Sequence, residues 1–294
     1  MSLKKVLCPI DFSAGSGRAM AVAARIAGDA DAELVLLHAW LVPAGMFPME
    51  QPIPAELLQS MNDEVQRGLD AAVREATTLG ARRVTPVLRY GIPWLSIVEA
   101  LEDPAFDLVV IGTHGRTGLA RILLGSVAEK VVRHAPCPVL AIRPDGEPKP
   151  FTHALCPTDF SEDSRQAIDL AAGLVQAGGA GITLLHVIEA PVSYSGELPD
   201  PDLIRELDRR SADQLEAWVT RLRNTSSVPV TTRCRVGWPG AEILAAIDHD
   251  PSIDLVVMGS HGRTGIRRVL LGSVAEKVVR HARCPVYVAR KRAE

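Results

Sequence analysis

Several common signals are scarce in this chain of 294 residues. Aromatic residues make up 4% of it and its net charge is −3, so neither a base-stacking platform nor a basic surface for nucleic acid is indicated. No apolar run approaches the roughly 18 residues that a membrane span needs. The first apolar run ends at an aspartate, so it predicts a strand and not a signal peptide. We therefore expect a cytoplasmic protein without nucleic-acid or membrane partners.

Cysteine pairs and several enzyme motifs are absent as well. The five cysteines form no C-x-x-C pair and no cluster with metal-ligand spacing, so we interpret them as buried thiols. The absence of G-x-x-x-x-G-K-[ST] excludes a P-loop NTPase, and no G-x-G-x-x-G of a dinucleotide fold follows the first strand. The G-x-S-x-G of a serine nucleophile is missing too. We predict no catalytic residue and no metal ligand.

What the chain does contain is an internal repeat. Residues 112–139 and 259–286 differ at only five positions, and VLCPIDFS near the start returns as ALCPTDFS in the second half. A repeat of about half the chain has the size of a complete domain and not of a solenoid unit. We predict two similar domains, residues 1–147 and 148–294, joined by the Pro- and Gly-rich stretch 145–150.

Each half alternates short apolar runs with longer helical patterns. In the first half the predicted strands are Val6–Ile10, Glu33–Trp40, Arg83–Tyr90, Asp107–Ile111 and Val139–Ile142. Helices are predicted over 16–28, over 55–79 and from Pro93 to about Glu102. This alternation is typical of a parallel sheet covered on both faces, so we predict an α/β fold with two doubly wound five-stranded sheets. In such sheets ligands bind beyond the carboxyl ends of the strands.

The repeated passage carries a glycine motif at one of these strand ends. The spacing is Gly, two residues, Gly, nine residues, Gly-Ser: Gly112, Gly115, Gly125 and Ser126, then Gly259, Gly262, Gly272 and Ser273. The first glycines would permit a positive φ and close approach of a sugar or phosphate, and the last would offer its own amide. Arg116 and Arg263 would supply charge to an outer phosphate. Glycines of an ordinary α/β strand end are the alternative to this anion or nucleotide site.

The serine of the motif opens a predicted helix. Ser126 and Glu129 have the S-x-x-E spacing of a capping box, and Ser273 and Glu276 repeat it, which predicts that the serine hydroxyl caps the helix. A helix N-terminus suits a phosphate because its amides are unpaired and its dipole end is positive.

An aspartate ends the first strand of each half. Asp11 and Asp159 are predicted to accept hydrogen bonds from adenine or ribose, or to bind a metal ion that carries phosphates. Capping of the following helix is the alternative, although Ser13 and Ser161 are placed to do that instead. We interpret four histidines as structural and not as catalytic bases: His38, His114, His186 and His261.

These residues together resemble the universal stress protein family. The resemblance rests on PTDFS, LLHV and G-x2-G-x9-G-S before VAEKVV, covers nearly all of both halves, and is to the tandem type and its ATP-binding branch. It implies the strand order 3-2-1-4-5 in each half and ATP as ligand, with or without Mg²⁺. The implied nucleotide-binding residues of the first half are Asp11, Ala39, Gly112, Gly115, Arg116, Gly125, Ser126 and Val127. Those of the second half are Asp159, Val187, Gly259, Gly262, Arg263, Gly272, Ser273 and Val274.

The resemblance implies a stress-response protein that binds ATP and hydrolyses it slowly at most, because no residue looks like an efficient water-activating base. Two alternatives stay open: an ATP-cleaving or adenylyl-transferring enzyme on a related fold, and a ligand-free structural pseudo-dimer. We expect the two domains to pair through their fifth strands, Val139–Ile142 against Val286–Ala289, and a homodimer as a further partner. The unlike loops 41–54 and 189–201 are either lids or tolerated insertions.

Overall fold

The computed structural model divides the chain into two compact units, Met1–Pro148 and Lys149–Glu294. The residues that it describes are 3–40, 55–103, 105–113, 124–143, 149–175, 179–189, 201–262 and 271–290. Each unit follows the same order of strands and helices, as the internal repeat requires.

In the first unit, five strands alternate with four helices. The elements are β1 Lys5–Pro9, α1 Ala14–Ala30, β2 Glu33–Trp40, α2 Ala55–Thr78, β3 Arg83–Tyr90, α3 Pro93–Leu101, β4 Leu108–Gly112, α4 Ser126–His134 and β5 Val139–Ile142. The predicted β2, β3 and β5 have these bounds, and the other predicted elements differ from the observed ones by two residues at most. Proline at the first position of α3 fixes where that helix begins.

The second unit repeats this order. Its elements are β6 His153–Thr158, α5 Glu162–Leu174, β7 Gly181–Ile188, α6 Pro201–Thr225, β8 Val230–Val236, α7 Pro239–His249, β9 Leu255–Gly259, α8 Ser273–His281 and β10 Val286–Ala289. The α/β fold predicted from the alternating pattern is confirmed.

The first strand of each unit lies between the second and the fourth. In the first unit β1 pairs in parallel with β2 and with β4, while β3 pairs with β2 and β5 with β4. The second unit has the equivalent parallel pairs, with β6 between β7 and β9. Because successive crossovers run in opposite directions from the central strand, a crevice forms at its carboxyl end. That crevice is where the predicted site residues converge.

Buried aliphatic strands form the core of each unit. All eight residues of β7 are buried, as are four of the five residues of β4 and of β9. Four of the predicted buried thiols are buried, Cys8, Cys137, Cys156 and Cys284, whereas Cys234 on β8 is half-exposed. In the described part of the chain, no helix is long and apolar enough to cross a membrane.

Candidate functional site

The aspartate after the first strand holds the turn that starts the next helix. Asp159 Oδ1 accepts a hydrogen bond from the Ser161 amide at 3.0 Å, and Ser161 in turn caps α5 by accepting from the Ser164 amide at 3.3 Å. In the first unit Asp11 Oδ1 accepts from both the amide and the hydroxyl of Ser13, at 3.0 and 2.5 Å. The serines are therefore the caps, as predicted, and the aspartates support them through one oxygen.

The residue after each aspartate adopts a left-handed backbone. Phe12 has φ 61° and Phe160 φ 65°, and the ring centroid of each lies close to that of a buried histidine, at 4.6 Å from His38 and 4.4 Å from His186. Each histidine holds the end of strand one through Nδ1, which lies 2.7 Å from the Ile10 carbonyl and 2.8 Å from the Thr158 carbonyl. These two histidines are structural, as predicted.

The capping-box prediction is wrong in both halves. Gly125 and Gly272 are the N-caps of α4 and α8, with an extended backbone (φ −61° and ψ 144°, φ −69° and ψ 149°), and a glycine makes no side-chain capping bond. Ser126 and Ser273 are already the first helical residues. The glycine carbonyl takes the first intrahelical hydrogen bond, as from the Glu129 amide at 2.9 Å. Since the serine hydroxyl is not used for capping, it is left at the exposed start of the helix.

The amide of the capping glycine is also not available to an anion, contrary to prediction. The Gly125 amide donates to the Thr113 carbonyl at 2.7 Å, and the Gly272 amide to the Ser260 carbonyl at 2.8 Å. These bonds fasten the start of the helix to the end of the fourth strand. The amides that face outward are instead those of the first helical residues, which have no acceptor within a helix.

The first glycine of each motif serves packing and not a positive φ. None of the described motif glycines has a positive φ. A Cβ on Gly112 would lie 2.8 Å from the Gly15 carbonyl oxygen, and one on Gly259 would lie 3.0 Å from the backbone of Asp163. These glycines let the start of α1 or α5 lie directly on the fourth strand. Gly262 differs, because a Cβ there would lie 2.8 Å from Asp159 Oδ2, so this glycine makes room for the carboxylate.

In the second unit a cavity of about 600 Å³ brings the predicted residues together. Seven of the eight line it: Asp159, Val187, Gly259, Gly262, Gly272, Ser273 and Val274. The eighth, Arg263, lies outside the described residues, as do Gly115, Arg116 and His114 of the first half. The predicted loop 41–54 is outside them too, as is the loop 189–201 except for its end residues Glu189 and Pro201.

The cavity has an apolar wall and a polar end. Leu185, Ile243 and Met258 form a buried apolar wall. At the other end, the N-terminus of α8 supplies outward amides and the positive end of the helix dipole. Lys277 is the one lysine or arginine among the described residues that line the cavity. A volume of this size accommodates a ligand as large as a nucleotide. In the described part of the chain, no three His, Cys, Asp or Glu side chains are grouped to hold a metal ion.

Comparison with known proteins decides the family. A family model described as the universal stress protein family matches residues 2–143 and again residues 150–290. The chain belongs to the universal stress protein family. It is 32% identical over 296 residues to the universal stress protein Rv2005c of Mycobacterium tuberculosis, an alignment that covers 97% of each chain. This membership confirms the resemblance to the tandem form of the family.

Shorter and more distant relatives agree with this. Universal stress protein MJ0531 of Methanocaldococcus jannaschii is 38% identical over 145 residues, which cover 48% of this chain and 82% of the relative. The crystal structure of a universal stress protein from Archaeoglobus fulgidus covers 100% of both chains with a TM-score of 0.70 and 21% identity. That likeness concerns the fold. The stress-response assignment made from the sequence agrees with the family.

The first universal stress protein unit has the same backbone with different surroundings. Asp11, Gly112 and Gly125 occupy the places of their second-half counterparts, after β1, at the end of β4 and before α4. Ser126 lines a cleft of about 260 Å³ together with Trp94 and four further residues of α4. A cavity of about 690 Å³ in this unit is a different feature, lined by α1, α2 and residues such as Phe12.

Among the lining residues of the second-half cavity that sequence reasoning missed are Glu189, Trp238, Ser260 and Lys277. Trp238 is 72% exposed, which is unusual for so large an apolar side chain. Lys277 carried a signal in the sequence, because it lies one helical turn after Ser273 and therefore on the same helix face. His261 Nδ1 lies 2.9 Å from the Ser260 hydroxyl, which supports its structural interpretation.

Proposed function

We propose that this universal stress protein binds ATP in each half and acts as a regulatory nucleotide-binding protein. The observation that supports it is the second-half cavity, which places an apolar wall, the strand-one aspartate and a helix N-terminus around one space. The wall suits a purine ring, and Asp159 suits a ribose hydroxyl or an adenine amine, since a carboxylate only accepts hydrogen bonds when ionised. The start of α8 suits the phosphates.

The finer predictions from the sequence belong to this proposal. ATP is the ligand, with or without Mg²⁺, and hydrolysis is slow at most. Each half forms its own five-stranded sheet of order 3-2-1-4-5. The protein acts in the cytoplasm. The pairing of the two halves through their fifth strands and a homodimer stay predictions from the sequence.

Calorimetric titration of the intact chain with ATP and AMP tests the proposal. We expect about two sites per chain. Gly272→Val is expected to weaken ATP binding to the second half more than tenfold, equivalent to about 1.4 kcal/mol, because the added methyl groups crowd the start of α8. Circular dichroism must show that the variant is folded. Absence of binding at millimolar nucleotide, or unchanged affinity in a folded Gly272→Val chain, contradicts the proposal.

Mass spectrometry of gently purified protein separates the alternatives. Retained ATP supports a regulatory nucleotide-binding protein. A stoichiometric hydrolysis product or adenylylated species, formed faster than ATP decays without protein, favours the enzyme. Loss of every nucleotide, together with no binding in the titration, favours the ligand-free pseudo-dimer.

A further inference from the structure

Two equivalent lysines stand beside the two proposed phosphate sites. Lys130 and Lys277 occupy the same position in α4 and α8, whose sequences are identical, SVAEKVVRH. Each lies four residues after the motif serine, on the same face of the helix. In the second half this places Lys277 in the lining of the cavity with Ser273. Both lysines are exposed, so their neighbours decide where each ammonium group stays.

The neighbour differs between the halves. The helix that packs on α8 begins Pro239-Gly240, whereas the helix that packs on α4 begins Pro93-Trp94. A Cβ on Gly240 would lie 2.9 Å from Lys277 Cδ, so the stem of Lys277 runs directly over this glycine and into the cavity lining. Any side chain at position 240 would displace it.

In the first half an indole holds the lysine. Lys130 Nζ lies 5.0 Å from the centroid of the Trp94 ring, a cation–π distance, and the ring also lies 5.6 Å from that of His134. A cation over the face of tryptophan is attracted by the ring quadrupole, and it loses that attraction if it turns to a phosphate. Lys130 therefore starts from a competing contact, and among the described residues Lys277 has no such contact with an aromatic ring.

The arginine of each helix makes the same ion pair with the glutamate of its own helix in both halves. Arg133 lies 3.8 Å from Glu129, and Arg280 lies 3.5 Å from Glu276 at the same spacing.

We propose that Lys277 binds the outer phosphates of a nucleotide in the second half and that Trp94 withdraws Lys130 from this role in the first half. This rests on the proposed function and adds that the two sites differ in kind. The second-half site prefers a nucleoside triphosphate over the monophosphate, and the first-half site distinguishes them less. An ammonium group acts on phosphate as a point charge, so each further phosphate adds to its attraction.

Titration of the intact chain with ATP and with AMP, fitted for two sites, tests this. Lys277→Gln is expected to weaken ATP binding at the second-half site about fivefold, because the contact between the ammonium group and the outer phosphates is lost. AMP binding is expected to change by less than about twofold. Lys130→Gln is the matched control and is expected to change neither ligand. Equal losses of ATP affinity in the two variants, or no loss in Lys277→Gln, overturn the inference.

A double-mutant cycle then tests the tryptophan. Trp94→Gly places at position 94 the glycine that the second half has at position 240. It is expected to tighten ATP binding at the first-half site about fivefold, and adding Lys130→Gln is expected to remove this gain in affinity. A gain that persists without Lys130 overturns the role of Trp94. If Trp94→Gly does not fold, the comparison of Lys277→Gln with Lys130→Gln still decides for or against the lysine assignment. Failure of AMP and ATP to bind the unaltered chain is a different result, because it contradicts the proposed function itself.

Discussion

At the scale of single residues, the glycines of one motif do two different things. Position 259 leaves no room for a side chain because the backbone of α5 lies against Gly259. At position 262 the Asp159 carboxylate occupies the space that a side chain would need. The first contact is part of the packed fold, whereas the second belongs to the lining of the cavity. The spacing in the sequence does not separate these roles, because both positions need a residue without a side chain.

Alanine at these two positions separates stability from binding. Gly259→Ala is expected to cost about 1–3 kcal/mol of unfolding free energy, because a backbone 3.0 Å away cannot move without α5. Gly262→Ala is expected to change stability by less than about 0.5 kcal/mol, since the end of the flexible Asp159 side chain needs only a small shift to accept a methyl group, but to weaken ATP binding about tenfold or more. Urea unfolding and calorimetry measure the two effects. The assignment is wrong if Gly262→Ala lowers the unfolding free energy more than Gly259→Ala does.

At the scale of elements, similar helices begin and pack in different ways. α1 and α5 begin with a serine cap, and α4 and α8 begin with a glycine whose carbonyl and amide are both used by backbone. α6 places Trp218 edge-on against Phe160, with ring centroids 5.7 Å apart. In the first unit Phe12 instead shares a cavity with Ala72 of α2. The repeat therefore preserves the sheet and its motif better than the helix packing behind them.

Serine-to-alanine changes distinguish the two kinds of helix start. Ser161→Ala removes the cap of α5 and is expected to cost about 1 kcal/mol of unfolding free energy. Ser273→Ala is expected to leave stability nearly unchanged, because Gly272 is the cap of α8, and to weaken ATP binding. Thermal unfolding with and without ATP measures both. A loss of stability in Ser273→Ala as large as that in Ser161→Ala would mean that its hydroxyl does cap the helix.

At the scale of the whole molecule, each unit carries a buried thiol at the same place in its first strand. Burial raises the pKa of the Cys8 and Cys156 thiols far above the ordinary value of 9.0. The unfolded chain releases these protons near that ordinary pKa, while the folded chain retains them. Their contribution to stability is therefore fully present below about pH 9 and is lost as the pH rises above it.

Alkaline unfolding tests this linkage. Above about pH 9, each buried thiol is expected to lower the unfolding free energy of its unit by about 1.4 kcal/mol per pH unit. Cys8→Ala and Cys156→Ala are expected to be less stable at every pH but to show a shallower decline between pH 9 and 10 in urea titrations. The half-exposed Cys234 has a pKa raised to about 11, first by burial and then by Asp208, so Cys234→Ala is expected to show the shallower decline only up to about that pH and to run parallel to the unaltered chain above it. A decline between about pH 9 and 10 in Cys8→Ala and Cys156→Ala that is as steep as in the unaltered chain contradicts the prediction.

The sequence by itself determined the repeat, the order of elements and most of their bounds. Strands such as β4 and β9 are apolar throughout and end at glycine, and helices such as α3 begin at proline, so local patterns suffice there. It also identified seven of the residues that line the second-half cavity, because the carboxyl ends of parallel strands lie at one edge of the sheet and a crevice forms there where crossovers leave in opposite directions.

Only the tertiary structure decided what those residues contact. The capping box was wrong because a one-residue shift of the helix start depends on the extended backbone of Gly125 and Gly272, which the Thr113 and Ser260 carbonyls hold in place. The contrast between Lys130 and Lys277 was invisible because their own helices are identical and their environments come from Trp94 and Gly240, on another helix. Local patterns specify where an element lies, whereas the use of a side chain depends on neighbours that are distant in sequence.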